Sequence, residues 1–468
     1  MVQAARVYKK KFNKKYILKK YPLYIKANTA AGIDKLQMKN FDKIKEGQID
    51  LILNKVNNNN YKFTNYKEKL ILKNRNSLPR LISIPTLRDR IVLKIIHEIL
   101  METFQIELKL VQTVISDFTL KCSLYDSYIK IDISNFFGSL NHDFLIQRLG
   151  TKIRKKELRD VIVSAIKNPT VNSYHRRNIS VEENKTGVPQ GIPIANVLAE
   201  IYFKELDSKY NARTDIAYFR YVDDILILCN STDIDDLKNE TINEITNIYL
   251  LSVNEDKCKD GALSDGMTYL GYKFVQTPSG MLCTVKDESI AKMENSLVAL
   301  FSKFKNSVGK MKSAELIFYL NLKITGAIVK ELDDSDKSKN EIDSEEKDRE
   351  KKYGWLFFYS QINDLRVLYH LDYFVESLIA RYDSKGVIDK GKIKKFSKAY
   401  YEIIQRRKKS KYLFKPSELS IEEKRLLLLN TFDIKLKDLK SDENIEYHFN
   451  KKVRRKILEL EADIQEIS

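Results

Sequence analysis

Alternating apolar and polar side chains predict a β-hairpin near the middle of the chain. The runs AYFRY (residues 217–221) and ILILC (residues 225–229) favour β-structure and flank the pair Asp223 and Asp224. Because successive side chains of a strand point to opposite faces, we predict paired strands with both carboxylates at the tip. Neighbouring carboxylates repel each other unless a cation lies between them, although Asp is also a common turn residue.

A second β-favouring run carries another acid. The run YIKID ends at Asp132, where the pattern becomes helical, and the Gly- and Pro-containing loop that begins at Thr186 leads into an apolar helix. Asp132 lies far from Asp223 in the sequence, so a shared site requires the fold to bring them together. Converging carboxylates can hold two Mg²⁺ ions about 4 Å apart, one activating an attacking hydroxyl and one steadying the leaving oxygen.

The remaining patterns predict helices and loops. From Ser289 onward, apolar residues recur at three- and four-residue intervals, which is typical of helices. Residues 333–352 mix acids and bases, are too polar to pack and are expected to form a loop. The apolar run 353–382, which holds the single tryptophan, Trp355, predicts packed helices. Residues 1–30 interleave lysines with aromatics and could lie along nucleic acid or form a solvated helix.

Composition and charge narrow the class of partner. A length of 468 residues suggests two or three domains, and 43% hydrophobic residues are ample for a core. The 82 Lys and Arg against 64 Asp and Glu give a net charge of +18, which favours a polyanionic partner. The 26 Tyr and 21 Phe offer surfaces on which bases could stack, although most Phe side chains belong in the core.

Cysteine and histidine spacing argues against appended metal domains. The four cysteines lack C-x-x-C spacing and the five histidines form no pair at zinc-ligand separation, so a zinc finger or an HNH-type nuclease is not expected. The basic start has no apolar signal core, and no run approaches membrane-spanning length. We expect a cytoplasmic protein with reduced thiols and no membrane partner.

The order of the motifs resembles that of reverse transcriptases. Any one motif is a modest signal, but five or six in the correct order are hard to obtain by chance. The resemblance covers roughly residues 31–274. The segments that carry it are AGID (31–34) and residues 78–100 for the fingers, DISNFF (132–137), GVPQGIPIANVLAEI (187–201) and YVDD (221–224) for the palm, LSVNEDKCK (251–259) for the fourth palm motif, and TYLGYKF (268–274) for the primer-grip hairpin.

The resemblance implies an α+β right-hand polymerase with helical fingers, an antiparallel-sheet palm and an all-helical C-terminal domain. The charged loop 333–352 lies in the last domain, and a fingers insertion could fall within 145–185. The implied boundaries are 1–30 for the basic lead-in, 31–127 for the fingers, 128–285 for the palm with its primer-grip hairpin, and 286–468 for the helical thumb-like or repeat domain.

The resemblance also implies the catalytic metal site. Asp132, Asp223 and Asp224 match the catalytic, metal-binding acids, with the backbone of Ile133 as a further ligand. The expected cofactors are two Mg²⁺ ions, with Mn²⁺ as an alternative. Lys257 matches the basic residue of the fourth motif, which would protonate or neutralise pyrophosphate. In a chain with 82 basic residues, the plainer interpretation of such a lysine is a solvated charge.

Further matched positions concern the nucleotide and the primer. Phe137 matches the side chain that crowds the sugar 2′-position, although a lone Phe after a strand is usually core. Gln190 matches a residue of the nucleotide pocket. Arg80 and Arg75 would supply charge for the triphosphate, because a guanidinium fork suits phosphate oxygens. Three adjacent residues match the primer grip, namely Tyr269, Leu270 and Gly271.

The implied function is RNA-directed DNA polymerisation from dNTPs, with a noncoding RNA as the expected template and DNA as the product. The tail segments 323–328 and 353–365 look like those of bacterial defence-associated and abortive-infection enzymes, which implies an antiphage role and an oligomer formed through the C-terminal domain. Three alternatives remain open. They are a retron-type or group II intron-like enzyme, template-independent or protein-primed synthesis, and an inactive nucleic-acid-binding protein.

Overall fold

The structure is a computed structural model of the 468-residue chain. It describes residues 4–26, 29–72, 79–174, 181–306, 311–330, 350–383 and 386–464. Arg75 and most of the charged loop 333–352 lie outside the described residues, so the predictions made for them stay predictions.

The N-terminal helices pack against the rest of the fingers. Lys11 is buried and its Nζ lies 3.3 Å from Glu98 and 3.2 Å from Glu102, both on α5. This part of the basic lead-in is therefore a packed element, and Lys11 is engaged in ion pairs. The helices of this region are α1 (Ala4–Lys11), α2 (Lys14–Tyr24), α3 (Met38–Phe41), α4 (Lys45–Asn57), α5 (Leu87–Phe104) and α6 (Val111–Lys121).

The fingers also contain a small sheet, beyond the helices that the sequence predicted. Its strands are β1 (Tyr66–Ile71), β2 (Arg80–Ile84) and β4 (Thr170–Val171), in the order β2-β1-β4. The strand β2 is antiparallel to β1, whereas β4 is parallel to it. Residues 145–185 thus supply a strand to the fingers sheet.

The palm is built on a four-stranded antiparallel sheet. Its strands are β3 (Ser127–Asp132), β5 (Ala217–Tyr221), β6 (Asp224–Cys229) and β7 (Lys259–Ala262), in the order β5-β6-β3-β7. The predicted hairpin of AYFRY and ILILC is therefore confirmed. The helices α7 (Phe136–Ser139), α8 (His142–Gly150), α9 (Lys156–Lys167), α10 (Ala195–Asn211) and α11 (Ile234–Asn247) accompany this sheet.

The two faces of the palm sheet belong to two different hydrophobic cores. Along β6, Ile225 and Ile227 join the core that contains the N-terminal helices and α10, whereas Leu226 and Leu228 join the core shared with the C-terminal region. Because side chains alternate between the two faces, the sheet packs against one core on each face and separates the two. A second antiparallel sheet, β8 (Met267–Tyr269), β9 (Tyr272–Thr277) and β10 (Gly280–Val285), follows the palm and belongs to the second core.

The C-terminal region is mainly helical, so the predicted α+β class with a helical C-terminal domain is confirmed. The region is not entirely helical, because β11 (Ala327–Lys330) and β12 (Glu350–Tyr353) form an antiparallel pair on either side of the charged segment. Its helices are α12 (Asp287–Asn306), α13 (Ser313–Thr325), α14 (Trp355–Phe358), α15 (Arg366–Tyr382), α16 (Phe396–Gln405), α17 (Ile421–Phe432), α18 (Asp442–Phe449) and α19 (Arg455–Glu459).

The predicted packing of the tryptophan-containing run is also observed. Trp355 is 1% exposed and its ring lies 4.7 Å from that of Tyr359. Tyr359 in turn packs on Tyr272 of β9 at 5.2 Å, so the run is buried against the sheet formed by β8, β9 and β10. All four cysteines are free, and Cys258 alone among them is not fully buried. Among the described residues, no helix combines the length and apolar character that crossing a membrane requires.

Candidate active site

The palm sheet brings two of the predicted acids side by side. Asp132 is the last residue of β3 and pairs in register with Asp224, the first residue of β6. Register partners on adjacent antiparallel strands point to the same face, with Cβ atoms about 5 Å apart. The side chains are 17% and 14% exposed, respectively. The pairing of β3 with β6 therefore brings Asp132 beside Asp224, although the two residues lie far apart in the sequence.

Asp223 occupies a different position, in the two-residue turn between β5 and β6. The other turn residue, Val222, has φ 57°, which is a strained conformation for a β-branched side chain. Because Asp223 lies in the turn while Asp224 begins the strand, the two neighbouring acids have different surroundings. In the described part of the chain, no three His, Cys, Asp or Glu side chains are grouped closely enough to hold a metal ion.

Two lysines neutralise the paired carboxylates. Lys257 Nζ donates to Asp132 Oδ2 at 3.1 Å, and Lys130 Nζ lies 3.7 Å from Asp224 Oδ1. Burial raises the pKa of Asp224, and the negative charge of Asp132 raises it further, whereas the two lysines act in the opposite direction. Burial thus outweighs the effect of both ammonium groups on the pKa of Asp224.

These observations test whether the acids fit divalent metal ions. Carboxylate oxygens are the ligands that Mg²⁺ prefers, and a divalent ion would relieve the burial cost that raises the pKa of Asp224. Asp132 and Asp224 therefore fit this role as a pair. Asp223 and the backbone of Ile133 adjoin them in sequence, and their part in metal binding stays a prediction.

The strained turn between β5 and β6 is supported by Arg220. This residue belongs to the predicted hairpin, but the sequence pattern offers no reason to assign it a role. Its side chain is 4% exposed. It donates to Val222 O at 2.8 Å, to both oxygens of Asp207 at 2.8 and 2.6 Å, and to both oxygens of Glu200 at 3.2 and 2.6 Å. Bidentate guanidinium–carboxylate pairs fix orientation as well as charge. This network anchors the turn to α10.

A sequence signal for this network existed. Glu200 and Asp207 are seven residues apart on one helix, so they share a helix face, and two acids on one face favour a cation between them. The sequence does not state which side of α10 packs against β5, so it could not pair these acids with Arg220. The network borders a cavity of about 250 Å³ behind the turn, which Asn196 and Tyr218 also line.

The second palm motif forms a loop that joins the palm to the fingers. Gly187, with φ 81°, is so close to Gly138 that a Cβ atom would lie 2.6 Å from the Gly138 carbonyl oxygen. At the other end, Ser83 N of β2 donates to Gln190 O at 2.7 Å. A Cβ atom on Gly191 would lie 2.6 Å from Ile82. Gly187 is therefore required by close backbone approach, and Gly191 by its φ of 96° and by the Ile82 side chain.

This loop places two of the predicted nucleotide-binding residues on adjoining segments. Val188 N donates to Phe137 O at 2.7 Å, and Phe137 is half-buried with its ring 5.2 Å from that of Phe136. Gln190, two residues along the loop, is bonded to the same strand β2 that carries Arg80. The contacts bring Phe137, Gln190 and Arg80 into one region, and their roles toward a nucleotide stay predictions.

The fourth motif docks against the end of β3. Asn254 N donates to Asp132 O at 2.8 Å, and Ser134 N donates to Ser252 O at 2.8 Å. These backbone bonds lie on both sides of a bridge between Ile133 and Val253. They account for the position of Lys257, which is mostly exposed yet reaches Asp132.

The predicted primer-grip residues form the turn between β8 and β9 and lie beside the acids. Tyr269 is buried, and its hydroxyl donates to Asp224 O at 3.4 Å. Leu270 and Gly271 both have positive φ, 48° and 83°. A Cβ atom on Gly271 would lie 3.1 Å from the Tyr359 hydroxyl of the C-terminal region. The turn therefore connects the acids to the C-terminal region, and its contact with a primer stays a prediction.

Comparison with known proteins identifies part of the chain. Residues 71–274 match the family described as reverse transcriptase (RNA-dependent DNA polymerase). The chain is 23% identical over 218 residues to protein YkfC of Escherichia coli K12, covering 38% of this chain and 56% of that protein. It is 22% identical over 223 residues to the putative COX1/OXI3 intron 2 protein of Saccharomyces cerevisiae, covering 34% and 25%. The matches thus span about half and a quarter of these relatives.

Solved structures of telomerase are also similar. The apo enzyme of Candida tropicalis, truncated from its C-terminal domain, is 20% identical with a TM-score of 0.36, covering 46% of this chain and 53% of that one. The Candida albicans enzyme in complex with a TWJ fragment of telomeric RNA is 12% identical with a TM-score of 0.42, covering 92% and 68%. The family match includes both paired acids and ends within the primer-grip hairpin, so residues 71–274 are similar to a reverse transcriptase domain.

Proposed function

We propose that the chain is an RNA-directed DNA polymerase that extends a primer 3′-hydroxyl with dNTPs. The observation that carries this proposal is the register pair of Asp132 and Asp224 within a reverse transcriptase domain. Two carboxylates on one face of a sheet, one of them with its pKa raised by burial, suit the binding of Mg²⁺ or Mn²⁺. The expected DNA product follows from the family description.

The protein's own residues supply binding, positioning and charge. Asp132 and Asp224 would hold two metal ions with Asp223 and the Ile133 carbonyl, and the bound ions would supply activation of the hydroxyl and stabilisation of the leaving oxygen. The ammonium of Lys257, which lies 3.1 Å from Asp132, is free to turn toward a departing pyrophosphate because its side chain is 63% exposed.

Three further residues would select and hold the nucleotide. Phe137 would crowd a ribose 2′-hydroxyl, Gln190 would line the nucleotide pocket, and Arg80 would bind the triphosphate. The contacts of the loop 187–191 with Phe137 and with β2 support this assignment, because they bring the three into one region. Arg75, which lies outside the described residues, is proposed as a second triphosphate ligand.

We further propose a cytoplasmic enzyme of antiphage defence that uses a noncoding RNA template and forms an oligomer through its C-terminal region. This part rests on the resemblance of segments 323–328 and 353–365 to defence-associated enzymes. The burial of Trp355 and the contact of Tyr359 with the primer-grip turn make the tail an integral part of the fold.

The test is primer extension by the purified full-length chain with Mg²⁺ and dNTPs. One DNA primer is annealed to an RNA template or to a DNA template of the same sequence, and a third reaction contains the primer alone. We expect extension on RNA. Products of defined sequence from the primer alone would favour template-independent synthesis. Binding without extension in all three reactions would favour an inactive nucleic-acid-binding protein.

Phe137 offers a second test of this function. Replacing it with Val should raise the use of ribonucleotides relative to deoxynucleotides, because space opens at the sugar 2′-position. An unchanged ratio of the two incorporation efficiencies would assign Phe137 to the core instead. The matched control is Phe144→Val. Phe144 is likewise packed at the edge of the first core, but it lies within α8, whereas Phe137 O accepts a hydrogen bond from the loop 187–191.

A further inference from the structure

A groove in the C-terminal region is lined by an unusual concentration of positive charge. It lies at the C-terminal end of α16 and has a volume of about 820 Å³. Six of its lining residues are basic, and Glu402 is its single acid. We call these six residues the basic groove, and they are Lys398, Arg406, Arg407, Lys408, Lys409 and Lys411.

The charges of the basic groove have no carboxylate partners among the described residues. Within the described part of the chain, none of the six forms an ion pair, whereas the neighbouring Lys395 and Lys415 lie 3.6 Å from Glu376 and Glu418. A cation or two at a helix C-terminus is explained by the helix dipole. Six cations beside one acid are more than the helix dipole accounts for, and the positive field that they produce attracts polyanions.

The backbone of the groove is fixed rather than loosely solvated. Ser410 is 5% exposed, and its Oγ accepts hydrogen bonds from Tyr412 N at 3.1 Å and Leu413 N at 3.4 Å. Lys415 Nζ donates to Lys408 O at 2.9 Å, which closes the loop. A preformed loop loses little conformational freedom on binding, so its cations are presented in advance of any ligand.

The positive field of the groove reaches β12. The pKa of Lys352 on β12 is lowered by burial and then by the charge of Arg407. Repulsion of this kind is relieved when an anion binds.

An exposed aromatic ring adjoins these cations. Tyr401 on α16 is 50% exposed, and the guanidinium of Arg406 lies 5.7 Å from its ring centroid. Aromatic rings beside a basic groove suit single strands, because unpaired bases stack on them while phosphates meet the cations. A duplex hides its base faces, and a lipid headgroup has none.

We propose that the basic groove is a binding site for single-stranded nucleic acid, separate from the polymerase cleft, with Tyr401 as its stacking residue. The site recognises phosphate backbone and base faces, which RNA and single-stranded DNA share. It would hold a strand on the C-terminal region whether or not the palm is extending a primer, so it goes beyond the polymerase activity proposed above.

The test measures binding to the full-length chain while its polymerase cleft is filled with an excess of unlabelled hairpin primer–template. Fluorescence anisotropy follows a labelled 20-nucleotide oligouridine at several salt concentrations. The groove variant is Arg407→Gln with Lys408→Gln and Lys409→Gln. The matched control removes three other exposed cations of the same region, through Lys435→Gln, Lys437→Gln and Lys440→Gln.

We expect wild type and the control to bind alike and the groove variant to bind roughly tenfold more weakly. Its log–log salt slope should be shallower by about 2, because each phosphate contact to a single strand contributes about 0.7. Primer extension on the hairpin should be unchanged in both variants. A groove variant that binds like the control would overturn the site, as would wild type that binds no oligouridine once the cleft is filled.

Two further arms define the ligand. Tyr401→Ala should weaken oligouridine binding about tenfold, since stacking contributes roughly 1–3 kcal/mol per base, whereas Tyr447→Ala, the loss of another exposed tyrosine beside a lysine, should not. Equal losses with oligothymidine would assign recognition to backbone and bases, and a loss with RNA alone would add the 2′-hydroxyl. Loss of binding to phosphatidylserine vesicles with oligonucleotide binding intact would replace this proposal by a membrane site.

Discussion

Two hairpins, β5–β6 and β8–β9, meet beside Asp224, and their turns have different backbone conformations. The β5–β6 turn consists of Val222 and Asp223, and only Val222 has positive φ. The β8–β9 turn consists of Leu270 and Gly271, and both have positive φ. Two-residue hairpin turns require positive φ at one or both positions, and glycine adopts it at little cost.

The difference lies in what stabilises each turn. A β-branched residue in the left-handed region costs roughly 1–3 kcal/mol, and the structure offsets this at Val222 through the hydrogen bond from Arg220. The primer-grip turn has a glycine where it is needed and is held by packing against Tyr359. The turn that presents the acids is thus held by buried charge, and the neighbouring turn is held by aromatic contacts.

The largest expected effect comes from Asp224 itself. Asp224→Asn should reduce nucleotide incorporation by about 10³-fold or more, because one carboxylate of the proposed metal-binding pair becomes neutral. Single-turnover primer extension measures this. The control is Asp256→Asn in the fourth motif, an exposed acid that should leave extension unchanged. Equal activity of the two variants would remove Asp224 from the site.

The same variant tests the pH dependence of stability without metal. The pKa of Asp224 is raised in the folded protein, so the folded state binds the proton more tightly than the unfolded chain does. Wild type should therefore lose stability as pH rises from the ordinary carboxyl range near 4 through the raised folded value. Asp224→Asn should lack this loss and be more stable than wild type at neutral pH, as denaturant unfolding at several pH values would show.

The sequence predicted the strands of the β5–β6 hairpin because alternation is a local signal, and the runs AYFRY and ILILC became β5 and β6. The β8–β9 hairpin was implied only by the family resemblance. The position of Asp132 beside the hairpin followed only from the family resemblance. No local pattern states which strands will pair across so long a separation.

What sequence reasoning missed depends on long-range geometry. The parallel pairing of β1 with β4 and the pair β11–β12 join short segments without strong alternation. Lys130 was not considered, although it shares a face with Asp132 at a separation of two residues. Arg220 lies within the predicted hairpin, but its two carboxylate partners can be identified only from the packing of α10 against β5.

The next largest effect is expected at Arg220. Arg220→Gln leaves Glu200 and Asp207 without their cation, and breaking a buried ion pair in this way costs about 3–5 kcal/mol. We also expect kcat to fall roughly 100-fold with a smaller change in the KM for dNTP, because the turn loses its support while the nucleotide pocket is untouched. Denaturant unfolding and steady-state kinetics measure the two effects.

A compensated variant separates support of the turn from general stability. In Arg220→Gln with Glu200→Gln and Asp207→Asn, no buried charge is left unpaired, so most of the lost stability should return. The hydrogen bond to Val222 O is still altered, so kcat should stay low. Recovery of kcat together with stability would mean that Arg220 contributes only to folding.

A smaller effect is expected at the primer-grip turn. Gly271→Ala should lower the free energy of unfolding by about 1–2 kcal/mol, because alanine is strained at φ 83° and its Cβ atom would lie 3.1 Å from the Tyr359 hydroxyl. Gly386→Ala is the control, since Gly386 has φ 63° and open space around its Cβ position. Equal losses in the two variants would show that the contact with Tyr359 adds nothing.

The smallest effect is expected at Val222, where two contributions nearly cancel. Val222→Gly removes the strain of positive φ but also removes a half-buried side chain and adds backbone freedom to the unfolded chain. The free energy of unfolding should therefore stay within about 0.5 kcal/mol of wild type, as measured by denaturant unfolding. Val329→Gly, at a half-buried valine of β11 without positive φ, should lose about 1–2 kcal/mol. If both variants lose the same amount, the β5–β6 turn is unstrained and the contrast between the two hairpins fails.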